Sequence, residues 1–500
     1  MYRRSAEGIR DPRCQSAHEG LHRLLFPTTD FAIFFGIVFV GNWLLAPFPK
    51  RWRVFILIAS YVFYGWWDWR FVFLLAISTL CTVVGGRLVH RSGVASARRA
   101  WLIATVAAEL CLLGWFKYAG WLSLNLDNVV HHLGMGDPIP LIQVTLPVGI
   151  SFFTFMGLSY VIDIYRGSLE PSPWLDVAVF VAFFPHLVAG PIVRGSDLLP
   201  QIRRAHRRDP RRIALPKAAY LIFGGLFKKV VLSSYVSSQI VDPVFANPHT
   251  HSSFEVLLAI YGYAVQIYCD FSGYTDIAIG CALLLGFRFP ENFNAPYTAR
   301  SLQDFWRRWH ITLSLWLRDY LYIPLGGNQG SRATMYRNIM VTMVLGGLWH
   351  GAAWTFVAWG TLHGLGQCTG HYRRAKRVER GLSPQREGRG WLAWERFATF
   401  QLVCVGWVFF RATSFANAFA MFGRLFTGWS QPSPLVNFAV LLVIAVGIGS
   451  QYVPPALPLR AQEVFSRLSV YAQGAVLAAV LLVITTLGPP GVAPFIYFRF

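Results

Sequence analysis

Apolar residues in this chain arrive in long blocks, at about 30–46, 52–67, 71–86, 101–119, 142–165, 175–193, 217–240, 254–287, 338–366, 396–411, 433–452 and 470–488. Each is close to the ~20 residues that cross the hydrocarbon core of a bilayer. Inside lipid a backbone must satisfy its own hydrogen bonds, so the blocks read as helices. The fold class is therefore all-α, a polytopic membrane protein of about ten to twelve crossings with re-entrant or amphipathic helices. Block 254–287 is long enough to be a broken pair. Only 14% of the residues are charged, against roughly 25% in soluble proteins, which excludes a soluble enzyme.

Charge bears on partners. The chain holds 45 Lys+Arg against 24 Asp+Glu. In a soluble protein that balance would invite nucleic acid, but here the basic residues gather in loops. Arg203, Arg204, Arg207, Arg208, Arg211 and Arg212 form one group, and Arg373, Arg374, Lys376, Arg377, Arg380, Arg386 and Arg389 another. Such loops face the cytoplasm, with anionic lipid as neighbour, and no nucleic-acid partner is implied. The seven scattered cysteines form no Cys-x-x-Cys and indicate neither a disulfide framework nor a metal site.

Residues 1–24 read as a basic polar extension, and 25–500 as one transmembrane domain with its catalytic core at about 140–366. The stretch 30–135 is aliphatic and aromatic and reads as scaffold. In the core, polar side chains cluster with helix breakers: Pro147, Gly149, Pro185, Gly190, Pro191, Pro290, Pro296, Pro324, Gly326 and Gly327. Broken helices at membrane depth persist where protein or a water-filled cavity satisfies them.

Two histidines carry the chemistry. His350 lies in an uncharged stretch that is long enough to span. An ionisable side chain at that depth is read as lining a functional cavity. Imidazole also suits proton transfer near neutrality. Gly346, Gly347 and Gly351 around it allow close approach of another helix or an acyl chain, and Trp349 and Trp354 are placed to wall a passage. His363 falls roughly 220° further around an ideal helix and reads as a helix-end hydrogen-bonding residue. In 303–322, Gln303, Arg307, His310, Ser314 and Arg318 recur at helical spacing as a polar stripe, opposite Trp306, Trp309, Leu313, Trp316 and Tyr320. Either this is an interfacial amphipathic helix with a solvated His310, or its stripe lines a cleft that holds anionic groups. Asp270 and Asp276, about 240° apart on a helix, read as structural. Nucleophile elbows, P-loops and dinucleotide fingerprints are absent.

The segments Phe305–Gly327 (FWRRWHITLSLWLRDYLYIPLGG) and Gly346–Gly351 (GGLWHG) resemble the two histidine motifs of the membrane-bound O-acyltransferases. Segments 146–155, 184–191, 268–276, 290–297 and 495–500 are similar again, so the resemblance covers about residue 25 to the end. The branch most resembled is that of the bacterial alginate O-acetyltransferases, whose core is shared with the D-alanyl transfer protein of teichoic acid modification. The resemblance implies a helical ring around a thin partition, with His350 as the catalytic histidine and His310 as a second one.

The expectation is acetyl transfer from acetyl-CoA, a co-substrate and not a bound cofactor, across the inner membrane. The acceptor would be an exported polysaccharide or a periplasmic acetyltransferase partner. His350 would act as general base or pass the acyl group on. His310 would polarise the thioester carbonyl or fix the tautomer of His350. Arg307, Arg308 and Arg318 would hold anionic donor groups, with Ser314 and Trp349 also in the substrate site. The rivals are D-alanyl transfer, peptidoglycan O-acetylation and, from another class, a proton-relaying transporter. A transporter usually carries inverted repeats, and none is visible.

Overall fold

The computed structural model describes residues 26, 28–135, 139–489 and 495–496. The extension 1–24 and most of the C-terminal motif 495–500 lie outside the described residues. Among these residues the secondary structure is helical, without strands. The helices used below are α1 (Thr29–Leu45), α2 (Pro49–Gly65), α3 (Phe71–Arg91), α4 (Ala95–His132), α5 (Ile150–Tyr165), α6 (Leu215–Leu226), α7 (Ser253–Leu284), α8 (Leu302–Trp306), α9 (Ile311–Leu317), α10 (Arg332–His350), α11 (Trp354–Glu379) and α12 (Arg389–Arg411). Five described helices are long and apolar enough to cross a membrane, or six if a pair bent by 91° counts as one span. That count falls below ten to twelve because several blocks fold as shorter helices, such as α1 and α5, or carry charged ends.

The centre of the molecule is α7. It starts from a capping box, in which the Ser252 hydroxyl accepts from the Glu255 N–H and the Glu255 carboxylate accepts from the Ser252 N–H. It then runs as one buried helix and not as a broken pair. Its carboxylates are structural, as the sequence suggested, but through lysines that the sequence reading had not paired with them. Lys229 Nζ donates to Asp270 and Lys228 Nζ to Asp276. The other Asp270 oxygen accepts the Ile496 N–H at 2.7 Å, which ties the chain's far end to the core. Both lysines lie on a π-helical run, Phe227–Ser233, that continues α6.

The stretch 338–366, read as one span, is two helices. α10 ends at His350, the chain bends through residues 351–353 with Gly351 and Ala353 extended, and α11 returns alongside α10. The glycines permit this pairing. A Cβ on Gly347 would collide with the Phe356 carbonyl oxygen and lie 3.3 Å from Gly360 Cα, and one on Gly360 would collide with the Met343 carbonyl. The backbones thus meet directly, as small residues allow within membranes. His363 consequently sits in mid-helix on α11, not at a helix end, and its Nδ1 accepts from Trp306 Nε1 at 3.2 Å.

Candidate functional site

The helix expected over 303–322 is broken at its histidine. α8 stops at Trp306, His310 takes a left-handed conformation (φ 42°), and α9 begins at the next residue. Positive φ is unusual away from glycine and costs of order 1–3 kcal/mol, so surrounding contacts must enforce it. Asn292 supplies them. Its side-chain oxygen accepts from the Thr312 N–H (3.2 Å) and Thr312 Oγ1 (2.9 Å), and its carbonyl accepts from the Ile311 N–H (2.9 Å). The same side-chain oxygen lies 3.1 Å from His310 Nδ1. An oxygen already accepting twice leaves Nδ1 as the donor, so the lone pair of His310 is on Nε2. That nitrogen is buried and has no hydrogen-bond partner among the described residues.

His310 is fully buried, which excludes the solvated amphipathic helix. Nor does it line any of the cavities described below. Its ring packs edge-on to Phe271 at 4.7 Å and lies 6.0 Å from Trp349, which in turn packs against His350 at 5.0 Å. The neutral tautomer presents a lone pair and no N–H at Nε2, so it can accept a proton but cannot polarise a carbonyl. Replacing Asn292 with Ala strands three donors in the interior, at about 1–3 kcal/mol each for buried unsatisfied groups. The expected outcome is a lower melting temperature together with reduced acyl transfer, measured on purified protein and in membranes.

His350 is also buried, and aromatic rings surround it: Trp349, Trp359 at 5.1 Å and Phe410 at 5.2 Å, each approached edge-on. Two cavities meet at this side chain. The first, of about 400 Å³, follows one stripe of α10 through Ile339, Thr342, Met343 and Gly346 to His350. The eleven steps from Ile339 to His350 span about 16 Å at 1.5 Å per residue. Its outer part is polar, with Gln303, Arg307, Ser314, Arg318 and His371. The second, of about 90 Å³, lies past the C-terminal end of α10 and is walled by Pro147, Gly149, Ser151, Trp349 and Lys117. His350 is the residue common to both walls. A larger vestibule of about 420 Å³ adjoins the second cavity and shares Lys117 and Leu146 with it.

Of the residues singled out from the sequence, Arg307, Ser314 and Arg318 line the first cavity and Trp349 the second. Arg308 lines neither. It donates to Asp304 at 2.9 Å and turns away. Arg318 donates to Asp319 at 2.6 Å, and Arg194 donates to the same carboxylate at 2.7 Å. Burial acts to raise the Asp319 carboxyl, but these two guanidiniums outweigh it and hold it below the ordinary carboxylate range. Arg318 therefore reaches the cavity while sharing one carboxylate with Arg194. Trp354 does not wall the passage: it is 53% exposed, stacks near Trp121 and donates to Asn125.

The stretch taken as scaffold contributes to the site through α4. Lys117 Nζ donates to the Trp349 carbonyl and to Ser151 Oγ (3.2 Å), and Tyr118 OH donates to the Leu348 carbonyl at 2.7 Å. These are terminal carbonyls of α10, which no helical N–H reaches. A lysine near the end of the apolar block 101–119, which also holds Glu109, was the available signal. Gly351, as the sequence suggested, allows a close approach, because a Cβ there would enter the Phe356 ring. Gly351→Leu is expected to displace Phe356 into the space beside His350 and to reduce transfer at least tenfold at unchanged membrane abundance. Normal turnover of this variant would show that the space is not used.

The profile of the MBOAT, membrane-bound O-acyltransferase family matches residues 102–375. The chain is 42% identical over 430 residues to a probable alginate O-acetylase of Pseudomonas aeruginosa, covering 85% of this chain and 79% of that relative. It is 36% identical to a peptidoglycan O-acetyltransferase of Helicobacter pylori, covering 79% of this chain and 78% of the relative. With a teichoic acid D-alanyltransferase of Bacillus subtilis the identity is 28%, over 54% of this chain and 69% of the relative.

Proposed function

The chain belongs to the membrane-bound O-acyltransferase family, and from that premise we propose that it carries acetyl from a cytoplasmic thioester, acetyl-CoA, to an exported polysaccharide such as alginate. It is a multi-pass membrane enzyme, and the membrane proposed is the inner one. The observation that carries this reading is His350 as the residue shared by two cavities, one running along α10 and the other lying past its C-terminal end. The cavity with Arg307 and His371 opens next to the arginine-rich stretch 373–389, which the positive-inside rule assigns to the cytoplasm. An acyl donor enters from that side, and the acceptor meets it through the vestibule. Arg307 is the cation best suited to a donor phosphate, since Arg308 and Arg318 are paired with carboxylates.

His350 accepts the proton of the attacking hydroxyl as its oxygen bonds to the acyl carbon, and returns that proton to the sulfur as the carbon–sulfur bond breaks, so that the ester forms and the donor leaves as a thiol. His310, packed against the other side of the Trp349 indole at 6.0 Å, is a positioning residue in this reading and not a group that touches the reacting atoms. The acceptor hydroxyl belongs to the polysaccharide or to a periplasmic acetyltransferase that relays the group. Acetyl, and not D-alanyl, is favoured by the higher identity to the O-acetyl-transferring relatives.

The test uses inverted and right-side-out membrane vesicles supplied with labelled acetyl-CoA. Label is expected on acceptor only when the donor is offered to the cytoplasmic face. Equal labelling from both faces would overturn the direction, and no labelling from either face would overturn the donor.

A further inference from the structure

Outside the transfer site, the basic segment 203–212 meets the C-terminal end of α7 around a cavity of about 490 Å³. Four arginines stand in its wall, Arg207, Arg208, Arg212 and Arg288, against one carboxylate, Asp209. Arg208 is built into the fold. Its guanidinium carbon lies 4.5 Å from the ring centre of Phe287, 4.8 Å from that of Trp52 and 5.4 Å from that of Trp43. Its Nε donates to the Ala205 carbonyl at 2.8 Å, and its Nη1 to Asn42 Oδ1 at 3.2 Å and to the Leu285 carbonyl. Gly286 (φ 82°) makes the room, since a Cβ there would stand 3.0 Å from Arg208 Cδ and 3.1 Å from Trp43. All of these acceptors are neutral, and Nη2 has no hydrogen-bond partner among the described residues. Burial accordingly pushes the guanidinium down to about 10.

The other charges of the wall are equally unmatched. Asp209 is committed to Arg212, 3.7 Å away, and to the Arg211 N–H at 2.9 Å. The side chains of Arg207 and Arg288 are exposed, and neither makes an ion pair or hydrogen bond among the described residues. The positive-inside rule explains why arginines gather on the cytoplasmic side, but not why four of them wall one cavity. The flanks are apolar. Trp43 lies in the last turn of α1, and its neighbour Leu44 is 69% exposed. Ala214, also in the wall, precedes Leu215, which opens α6 and is 46% exposed. Arginines and lipid-facing side chains thus meet at one depth, that of a headgroup. We propose that this cavity holds the phosphate of an anionic phospholipid of the cytoplasmic leaflet, with the acyl chains lying beside Leu44 and Leu215. Guanidinium matches phosphate oxygens, and basic pockets between membrane helices take such headgroups. The site shares no wall residue with the cavities at His350 and does not depend on the transfer reading.

The test reconstitutes the purified full chain in equal amounts of phosphatidylglycerol and phosphatidylcholine, extracts it in mild detergent and quantifies the retained lipid by mass spectrometry. Wild type is expected to retain phosphatidylglycerol about tenfold over phosphatidylcholine. Arg207→Gln/Arg288→Gln should bring the ratio close to one while the fold persists, because these side chains hold nothing else in place. Arg380→Gln/Arg389→Gln, which removes as much charge from the other basic stretch, should keep the wild-type ratio. Equal retention of both lipids by wild type would overturn the proposal, as would an unchanged ratio in the Arg207/Arg288 variant. A loss as large in the Arg380/Arg389 variant would reduce the effect to general surface charge and overturn it too. Phosphatidylglycerol should raise the melting temperature of the delipidated chain, and inorganic phosphate should not. Equal rises would give the site to a soluble anion and overturn the lipid as its occupant.

Discussion

Membranes carrying His350→Ala are expected to transfer acetyl about 10²–10⁴-fold more slowly than wild type, the usual worth of a positioned proton-transfer group. The loss should appear in kcat and not in donor binding. The cavity proposed for the donor reaches His350 only at its inner end, and its polar outer part, with Gln303 and Arg307, is untouched by the substitution. The fold should survive, because the neighbours Trp349, Trp359 and Phe410 also pack against other rings, Phe155 and Trp407 among them. The measurement is labelled acetyl transfer at matched membrane abundance, with the melting temperature as control. Undiminished transfer would remove His350 from the chemistry.

The largest structural effect is expected from Gly347→Leu. A side chain there meets backbone, the Phe356 carbonyl and Gly360 Cα, which no rotamer change relieves. The cost should therefore exceed the ~1–3 kcal/mol of ordinary overpacking. α10 and α11 cannot then close against each other, and the protein should fail to accumulate in membranes or melt well below wild type. Gly347→Ala should show a weaker version of the same defect, and Gly224→Ala, where a Cβ meets nothing within 4 Å, none. Wild-type accumulation and melting of Gly347→Leu would mean that the two helices do not approach as closely as described.

Much of this arrangement is legible along the chain. Apolar blocks became helices because a backbone in lipid has few alternatives. The glycines beside His350 pointed to a close backbone approach, and Gly347 against Gly360 provides it. Asp270 and Asp276 were read as structural, and they are, although their lysine partners lie more than forty positions away and leave no local trace.

The breaks were less legible. Helical spacing continues across His310 in the sequence, yet the helix stops there, because Asn292 rewards a left-handed turn that local propensity disfavours. The turn after His350 is equally silent, since Gly351-Ala352-Ala353 reads as well within a helix as between two. Arg308 shares the composition of a ligand-binding group and spends its charge on Asp304 instead.

The sequence by itself determined an all-helical membrane protein with an ionisable group deep among small residues, because burial of backbone and charge in lipid admits so few solutions. Only the tertiary structure decided that His350 is reached from two sides, that His310 stands behind an indole with its Nε2 lone pair without a partner among the described residues, and that Lys117 holds the end of α10 that carries His350. Those are relations between helices far apart in the chain, set by side-chain packing and hydrogen bonds that no local period encodes.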